Sequence, residues 1–199
     1  MREEIQYKGY TIKIYQDEDA PDPRKDCQNL GQMVCWHRRY NLGDQTVRPE
    51  SCGSLEQLVA SLQARVILPL YLMDHSGLTI RTDPGVFQMI DSAGWDWGQV
   101  GLIYARDHAI QKEYGCKRIT RKIEAEVKKV LEAEVEVYNQ FLQGDVYGYV
   151  IEDDDNQHLD SCWGFYGLEE VKKEAQQVVD YICKKEEGKN VQESPARAG

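Results

Sequence analysis

The chain has 199 residues, of which 41% are hydrophobic and 29% are charged, a balance that excludes general disorder and favours one substantial domain. Its 34 acidic residues outnumber its 24 basic ones, which gives a net charge of −10. Negative charge of this size repels phosphate backbones and anionic membranes, so we expect a basic partner and neither direct nucleic-acid nor membrane binding.

The first residues, MREEIQYKGY, carry charges where a signal peptide has its apolar segment, and no apolar run reaches the roughly 18 residues of a membrane span. A cytoplasmic protein is therefore expected. None of the six cysteines forms a CxxC pair, so we interpret them as reduced thiols.

The first half of the chain reads as strands with one short helix. EIQYKGYTIKIY alternates apolar and polar residues around Lys8 and Gly9, which predicts a hairpin, and the acidic, proline-containing QDEDAPDPRKD that follows predicts a loop. GQMVCWHRRY is the next predicted strand. Ser54 begins a predicted helix over residues 54–64, and VILPLYLM and LTIRT are predicted strands on either side of DHSG.

The second half contains the clearest helix. After a strand at QVGLIYA and a helical stretch at 106–114, apolar residues recur at helical spacing from about residue 119 to 142, and Gly144 ends the run. We expect this helix to pack through Ile123, Val127, Val130 and Phe141. DVYGYVI and DSCWGFYG predict a last strand pair, followed by a final helix.

The order of these elements predicts an α+β fold, a mainly antiparallel sheet packed against a few helices including one long amphipathic helix, because helices do not alternate with every strand. We assign residues 1–186 to a single domain and residues 187–199 to a disordered polar tail.

The DHSG stretch has two interpretations. A carboxylate beside a histidine is a common catalytic or metal-binding pair, and the residues that such a site would use are Asp74, His75, Asp91 and Asp96, with His37 as a further candidate. Adjacent strand residues point to opposite faces, however, so the pair acts together only in a turn, and a plain hairpin turn is the alternative.

Metal binding has weak support in the sequence. The acidic loops do not match the EF-hand spacing, and Cys35 with His37, a C-x-H pair in a predicted strand, supplies only two soft ligands. A divalent metal stays an open alternative and its ligands are unknown.

Acidic and aromatic residues in predicted loops are candidates for partner binding. Carboxylates presented at intervals imitate phosphate charge, and tryptophan is enriched at interfaces, although both residue types also serve solubility and core packing. The candidates are Asp17, Glu18, Asp19, Asp22, Glu152, Asp153, Asp154, Asp155, Trp95 and Trp97.

The stretches NLGQMVCWHRRYNLGD, LPLYLMDHSGLTI, WDWGQVGLIYA, GDVYGYVIE and DSCWGFYG together resemble a family of small bacteriophage and mobile-element proteins, over about residues 5 to 167. The resemblance implies a genomic setting and no specific chemistry.

The setting and the charge together lead to the main functional hypothesis. It is a phage or mobile-element accessory protein in the host cytoplasm that binds a basic host protein through an acidic surface. Anti-defence is one form of this role, and a nucleic-acid-binding protein is one kind of such a partner. The alternatives are a metal-assisted hydrolase centred on DHSG and a structural module whose aromatic strands pack on a partner. The sequence leaves the oligomeric state open.

Overall fold

The computed structural model describes residues 1–47 and 54–192, with the backbone alone for 187–192. Within these residues the chain forms nine strands and five helices. The strands are β1 (Glu3–Tyr7), β2 (Tyr10–Gln16), β3 (Gln32–Cys35), β4 (Gln45–Thr46), β5 (Ala64–Asp74), β6 (Leu78–Arg81), β7 (Trp97–Arg106), β8 (Val146–Glu152) and β9 (His158–Tyr166). The helices are α1 (Leu55–Leu62), α2 (Gly85–Ile90), α3 (Asp107–Glu113), α4 (Arg121–Gln143) and α5 (Leu168–Gln192).

The fold is α+β, as predicted, with mainly antiparallel sheets, and the predicted long amphipathic helix is α4. The chain divides into two compact units. Unit 1 consists of Met1–Ala20 and Gly144–Gly199, and unit 2 consists of Pro21–Gln143. The sequence-based assignment of residues 1–186 to a single domain stays a prediction.

Unit 1 is a four-stranded antiparallel sheet in the order β1-β2-β8-β9, covered on one face by α5. The predicted first hairpin is confirmed, and its turn uses positive φ angles at Lys8 (52°) and Gly9 (81°), the backbone of a tight turn that matches strand twist. The buried core alternates along the strands, as a half-covered sheet requires. Its members are Ile12, Ile14, Tyr147, Tyr149, Ile151, Val171, Ala175 and Val179.

Unit 2 is a five-stranded sheet in the order β4-β3-β7-β5-β6, with a helix on each face. Strand β7 shows the division: Ile103 lies in the core beneath α4, and its neighbour Leu102 lies in the smaller core that includes Leu62 of α1. The N-terminus of α1 is confirmed at Ser54, which forms a capping box with Gln57.

Helix α4 is amphipathic, and Val127, Leu131 and Val135 are buried against the sheet. Ile123 and Phe141 pack at the edge of this core as predicted, but Val130 is 36% exposed, so its predicted inward position is wrong. The apolar stripe of α4 that packs on the sheet therefore excludes Val130.

Two further features differ from the sequence analysis. Helix α2 was not predicted, because GVFQMI is a short apolar run without a periodic pattern. Helix α5 continues to Gln192, six residues into the predicted tail. Residues 193–199 of that tail lie outside the described part of the chain.

None of the helices in the described part of the chain combines the length and the apolar composition that a membrane span needs. The cysteines of these ranges, Cys27, Cys35, Cys116, Cys162 and Cys183, are free thiols, and Cys52 lies outside them.

Candidate functional site

The DHSG stretch forms the turn of the β5–β6 hairpin. Asp74 is the last residue of β5, Ser76 (φ 57°) and Gly77 (φ 140°) have positive φ angles, and the amide of His75 donates to the carbonyl of Gly77 at 3.2 Å. The hairpin alternative is therefore correct for the backbone, while the Asp74 and His75 side chains contact different partners.

The carboxylate of Asp74 faces a segment that the sequence analysis did not connect with it. It forms an ion pair with Arg39 and accepts a hydrogen bond from the Tyr40 hydroxyl at 3.2 Å. The Arg39 guanidinium lies 5.3 Å from the centre of the Tyr40 ring. Asp74 thus holds Arg39 in place instead of orienting the neighbouring His75.

His75 pairs with Asp96 instead. Its Nδ1 lies 3.0 Å from Oδ2 of Asp96, and the two side chains are 64% and 47% exposed. An imidazole held through Nδ1 by a carboxylate presents Nε2 as a proton acceptor when neutral, which is the arrangement of a general base. At this exposure the pair contributes little to stability.

Asp91 organises the loop that carries Trp95 and Asp96. Its carboxylate accepts hydrogen bonds from the amides of Ala93 (3.1 Å), Gly94 (3.1 Å) and Asp96 (2.9 Å). These backbone hydrogen bonds, the one from Asp96 most of all, lower the pKa of Asp91. Its carboxylate oxygens are committed to the loop, which gives Asp91 a positioning role.

An open cleft of about 760 Å³ lies within unit 2. It is formed by the segment after β3, the end of β5 and the beginning of β7 with the preceding loop. Its lining residues are Trp36, His37, Arg38, Arg39, Leu72, Asp74, Trp95, Asp96, Trp97, Gly98, Gln99 and Val100. The cleft brings together Asp74, Asp96 and His37 of the predicted catalytic set and both predicted interface tryptophans, whereas His75 and Asp91 are not among its lining residues.

The two interface tryptophans differ in how they are held. Trp97 packs against Phe87 and Tyr71, with ring centres 6.3 and 6.2 Å away, and its Nε1 donates to the Asp91 carbonyl at 2.8 Å. Trp95 is 87% exposed and makes no ring contact within the described residues. Trp97 is therefore a fixed wall of the cleft, and Trp95 is an open surface.

His37 shapes the turn that carries the two arginines. Its Nδ1 accepts hydrogen bonds from the amides of Arg39 (3.3 Å) and Tyr40 (3.2 Å), and its ring stacks on that of Tyr40 at 4.9 Å. Burial and the positive charge of Arg39 lower the pKa of His37, which favours the neutral imidazole that these contacts require.

Cys35 and His37, the predicted metal-binding pair, do not lie on one face of a strand. Strand β3 ends at Cys35, so His37 lies in the following turn, and burial raises the pKa of the Cys35 thiol to about 12. Residues 1–47 and 54–186, whose side chains are described, contain no group of three or more His, Cys, Asp or Glu side chains that could hold a metal ion.

The predicted partner-binding acids are divided between exposed and internally bonded residues. Glu152 forms an ion pair with Lys13 at 2.7 Å, and Asp153 accepts hydrogen bonds from the amides of Asp155 and Gln157. Asp22, which belongs to unit 2, pairs with Lys25 at 2.7 Å. Among the predicted acids that belong to unit 1, Glu18, Asp19, Asp154 and Asp155 are exposed, while Asp17 is partly buried.

Negative charge is concentrated in unit 1. The sequence places 18 acidic and 9 basic residues in unit 1 and 16 acidic and 15 basic residues in unit 2, which together make the 34 and 24 of the chain. The net charges are therefore −9 and −1, so almost the whole charge of the protein belongs to its smaller unit.

Sequence reasoning missed Trp36, Arg38, Arg39 and Gln99 as members of the cleft. The string WHRRY contains a signal that was available: a tryptophan and two arginines directly after a strand, in a chain whose charge is otherwise acidic.

The comparisons with known proteins returned no match: no family model, no curated protein and no solved structure is significantly similar to this chain. The resemblance to bacteriophage and mobile-element proteins therefore stays an expectation from the sequence.

Proposed function

We propose that this protein is a binding protein whose acidic unit 1 docks on a basic protein partner. The observation that carries the proposal is the unequal distribution of charge, −9 on unit 1 against −1 on unit 2. A charge needed only for solubility has no reason to collect in one unit, whereas complementary charge accelerates and orients docking on a basic surface.

The direct contacts are assigned to exposed carboxylates with no ion pair or hydrogen-bonded side chain of their own in the described residues. Asp154 and Asp155 lie at the tip of the β8–β9 turn, and Glu18 lies after β2. Glu152 and Asp153 add to the negative field, but their oxygens are engaged with Lys13 and the turn backbone. Carboxylates in this arrangement imitate the phosphates that a nucleic-acid-binding protein recognises.

The genomic setting implied by the sequence resemblance is compatible with this role. An accessory protein of a bacteriophage or mobile element meets host proteins that bind nucleic acids through basic grooves, and an anti-defence function is one form of such binding. The hydrolase alternative is served by the His75–Asp96 pair as a general base, and no ligand set within the described ranges supports its metal.

Affinity capture from a bacterial lysate tests the proposal with two variants of equal charge change. The test variant neutralises exposed acids of unit 1, as Glu18→Gln, Asp154→Asn and Asp155→Asn. The matched control neutralises exposed acids of unit 2, as Glu113→Gln, Glu132→Gln and Glu136→Gln.

We expect the parent and the control to capture the same basic protein at low salt and to lose it as salt rises, since such contacts are screened over about 8 Å at physiological ionic strength. The test variant should capture less of it at every salt concentration. Equal capture by test variant and control, or capture that does not depend on salt, contradicts the proposal.

A further inference from the structure

The cleft of unit 2 has a chemistry unlike that of the acidic surface. The indole of Trp95 in this cleft is 87% exposed and is carried by a loop that the Asp91 carboxylate fixes through three backbone amides. A large aromatic side chain held at the mouth of a cleft offers a flat face on which a planar ring can stack.

One positive charge in the same cleft has no partner in the part of the chain that the structure describes. Arg39 is engaged with Asp74 and lies over the Tyr40 ring, but the adjacent Arg38 is exposed and makes no ion pair or hydrogen bond with any described residue. The turn that presents it is fixed by the two hydrogen bonds to His37 Nδ1. An arginine of this kind is suited to a phosphate, which its planar guanidinium binds through two parallel hydrogen bonds.

The cleft also contains side-chain oxygens that remain available as acceptors. Asp96 uses Oδ2 for His75, which leaves Oδ1, and Gln99 uses Nε2 in a long contact of 3.4 Å to the Gly101 carbonyl, which leaves its side-chain oxygen. Side-chain oxygens of this type accept hydrogen bonds from the amino groups of a base or the hydroxyls of a sugar.

We propose that this cleft binds a mononucleotide, with the base stacked on Trp95 and the phosphate on Arg38. The volume of about 760 Å³ lies within the range of small-molecule sites. The site is independent of the function proposed for unit 1, because it belongs to the other unit and recognises the opposite charge.

Charge favours a free mononucleotide over a nucleic-acid strand. A strand needs a track of cations to replace its counterions, whereas the described residues of this cleft offer one unpaired cation, Arg38, beside Arg39, which is paired with Asp74, in a protein of net charge −10. The same arginine disfavours the other ligand that tryptophans often enclose, a quaternary ammonium ion, because the two like charges repel.

Isothermal titration of the full chain with AMP, GMP, CMP and UMP, and with adenosine, tests the assignment. We expect the parent to bind at least one nucleoside monophosphate, and AMP more tightly than adenosine. Trp95→Ala should weaken binding about tenfold, the usual effect of removing one stacking platform, and Trp95→Phe should restore most of it.

Arg38→Gln separates the phosphate contact from the stacking contact. It should reduce the affinity for AMP to that for adenosine and leave the affinity for adenosine unchanged. Matched controls lie in unit 1: Tyr181→Ala removes an aromatic ring that is 66% exposed, and Arg2→Gln removes an exposed arginine. Both controls should bind as the parent does.

Three results would overturn the proposal. The first is no heat of binding with any of the four monophosphates up to about 1 mM, where a specific small-molecule site should already be occupied. The second is equal weakening of AMP and adenosine by Arg38→Gln. The third is tighter binding of tetramethylammonium, or of a single-stranded oligo(dT), than of any mononucleotide.

Discussion

Arg24 is the residue on which the loop before β3 depends. Its side chain is 1% exposed and contacts Asp44, at 2.7 Å, and Glu134 of α4, at 3.0 Å, while its Nη2 also donates to the Gly31 carbonyl. The same two carboxylates accept hydrogen bonds from backbone amides: Glu134 from the amide of Leu30, and Asp44 from the amide of Met33. A single arginine thus connects three parts of unit 2.

We predict that Arg24→Met lowers the free energy of unfolding by about 3 kcal/mol, because it removes a buried cation from Asp44 and Glu134, whose side chains are 24% and 12% exposed. Arg38→Met, which removes an exposed arginine without an ion pair, is the control and should change stability by less than about 0.5 kcal/mol. Urea denaturation measures both. Similar losses for the two variants would show that the buried network is not a stabilising contact.

His37 predicts a pH dependence of stability. Because burial and Arg39 lower its pKa from the ordinary 6.5, the folded state binds the proton less readily than the unfolded chain. The stability contributed by the neutral imidazole is therefore fully present above pH 6.5, the ordinary pKa, and is lost as the pH falls through the lowered pKa of the folded state. The backbone contacts to Nδ1 explain the loss, since a protonated ring has no acceptor there.

The measurement is the free energy of unfolding in urea near pH 7.5 and near pH 5.5. In His37→Asn the amide oxygen accepts the same backbone amides at both pH values, so this variant should lose less stability on acidification than the parent. His108→Asn, at an exposed position, is the control. A parent and a His37→Asn variant with identical pH profiles would contradict the assigned role.

At the scale of the element, α4 illustrates how far periodicity alone can be trusted. Helical spacing identified its apolar positions, and Gly144 indicated its end, but the pattern could not distinguish a residue in the core from one at its border. Val127 is fully buried and Val130, three residues later, is 36% exposed. Both were predicted to face the sheet.

We predict that Val127→Asp lowers the free energy of unfolding by about 3–5 kcal/mol, because it buries a charge without a partner. Val130→Asp, on the same helix, should stay within about 0.5 kcal/mol of the parent. Thermal and urea unfolding of the two variants provide the comparison. If the Val127→Asp protein is as stable as the Val130→Asp protein, α4 does not pack on the sheet through Val127.

For the whole molecule, the notable feature is the path of the chain. The segment of unit 2, Pro21–Gln143, is inserted between β2 and β8, which are neighbours in the sheet of unit 1. The amide of Asp17 donates to the Val146 carbonyl at 2.8 Å, so the sheet of unit 1 closes only when the two ends of the insertion meet. An unfolded insertion opposes this closure by its chain entropy.

We therefore predict one cooperative unfolding transition, in agreement with the single domain expected from the sequence. Scanning calorimetry should give equal calorimetric and van't Hoff enthalpies. Ile151→Ala in the core of unit 1 and Leu131→Ala in the core of unit 2 should each shift that one transition. Two transitions, each shifted by only one of the variants, would contradict the prediction.

The elements that the sequence predicted correctly depend on neighbours within a few residues. The Lys8–Gly9 hairpin, the Ser54 cap and the end of α4 before Gly144 follow from turn chemistry, capping and the φ angle of glycine (68° at Gly144). The partners of the two DHSG side chains, Asp74 and His75, were not predictable in this way. Asp74 is 35 residues from Arg39, and His75 is 21 residues from Asp96.

The sequence by itself determined the fold class, the order of most elements and the net charge of −10, because patterning and composition act locally or as sums. Only the tertiary structure decided that DHSG is a hairpin turn whose two side chains separate, that the negative charge collects in unit 1, and that Trp95 and Arg38 share a cleft. The physical reason is that strand register and helix packing, which set these distances, arise from the whole core and leave no local pattern in the chain.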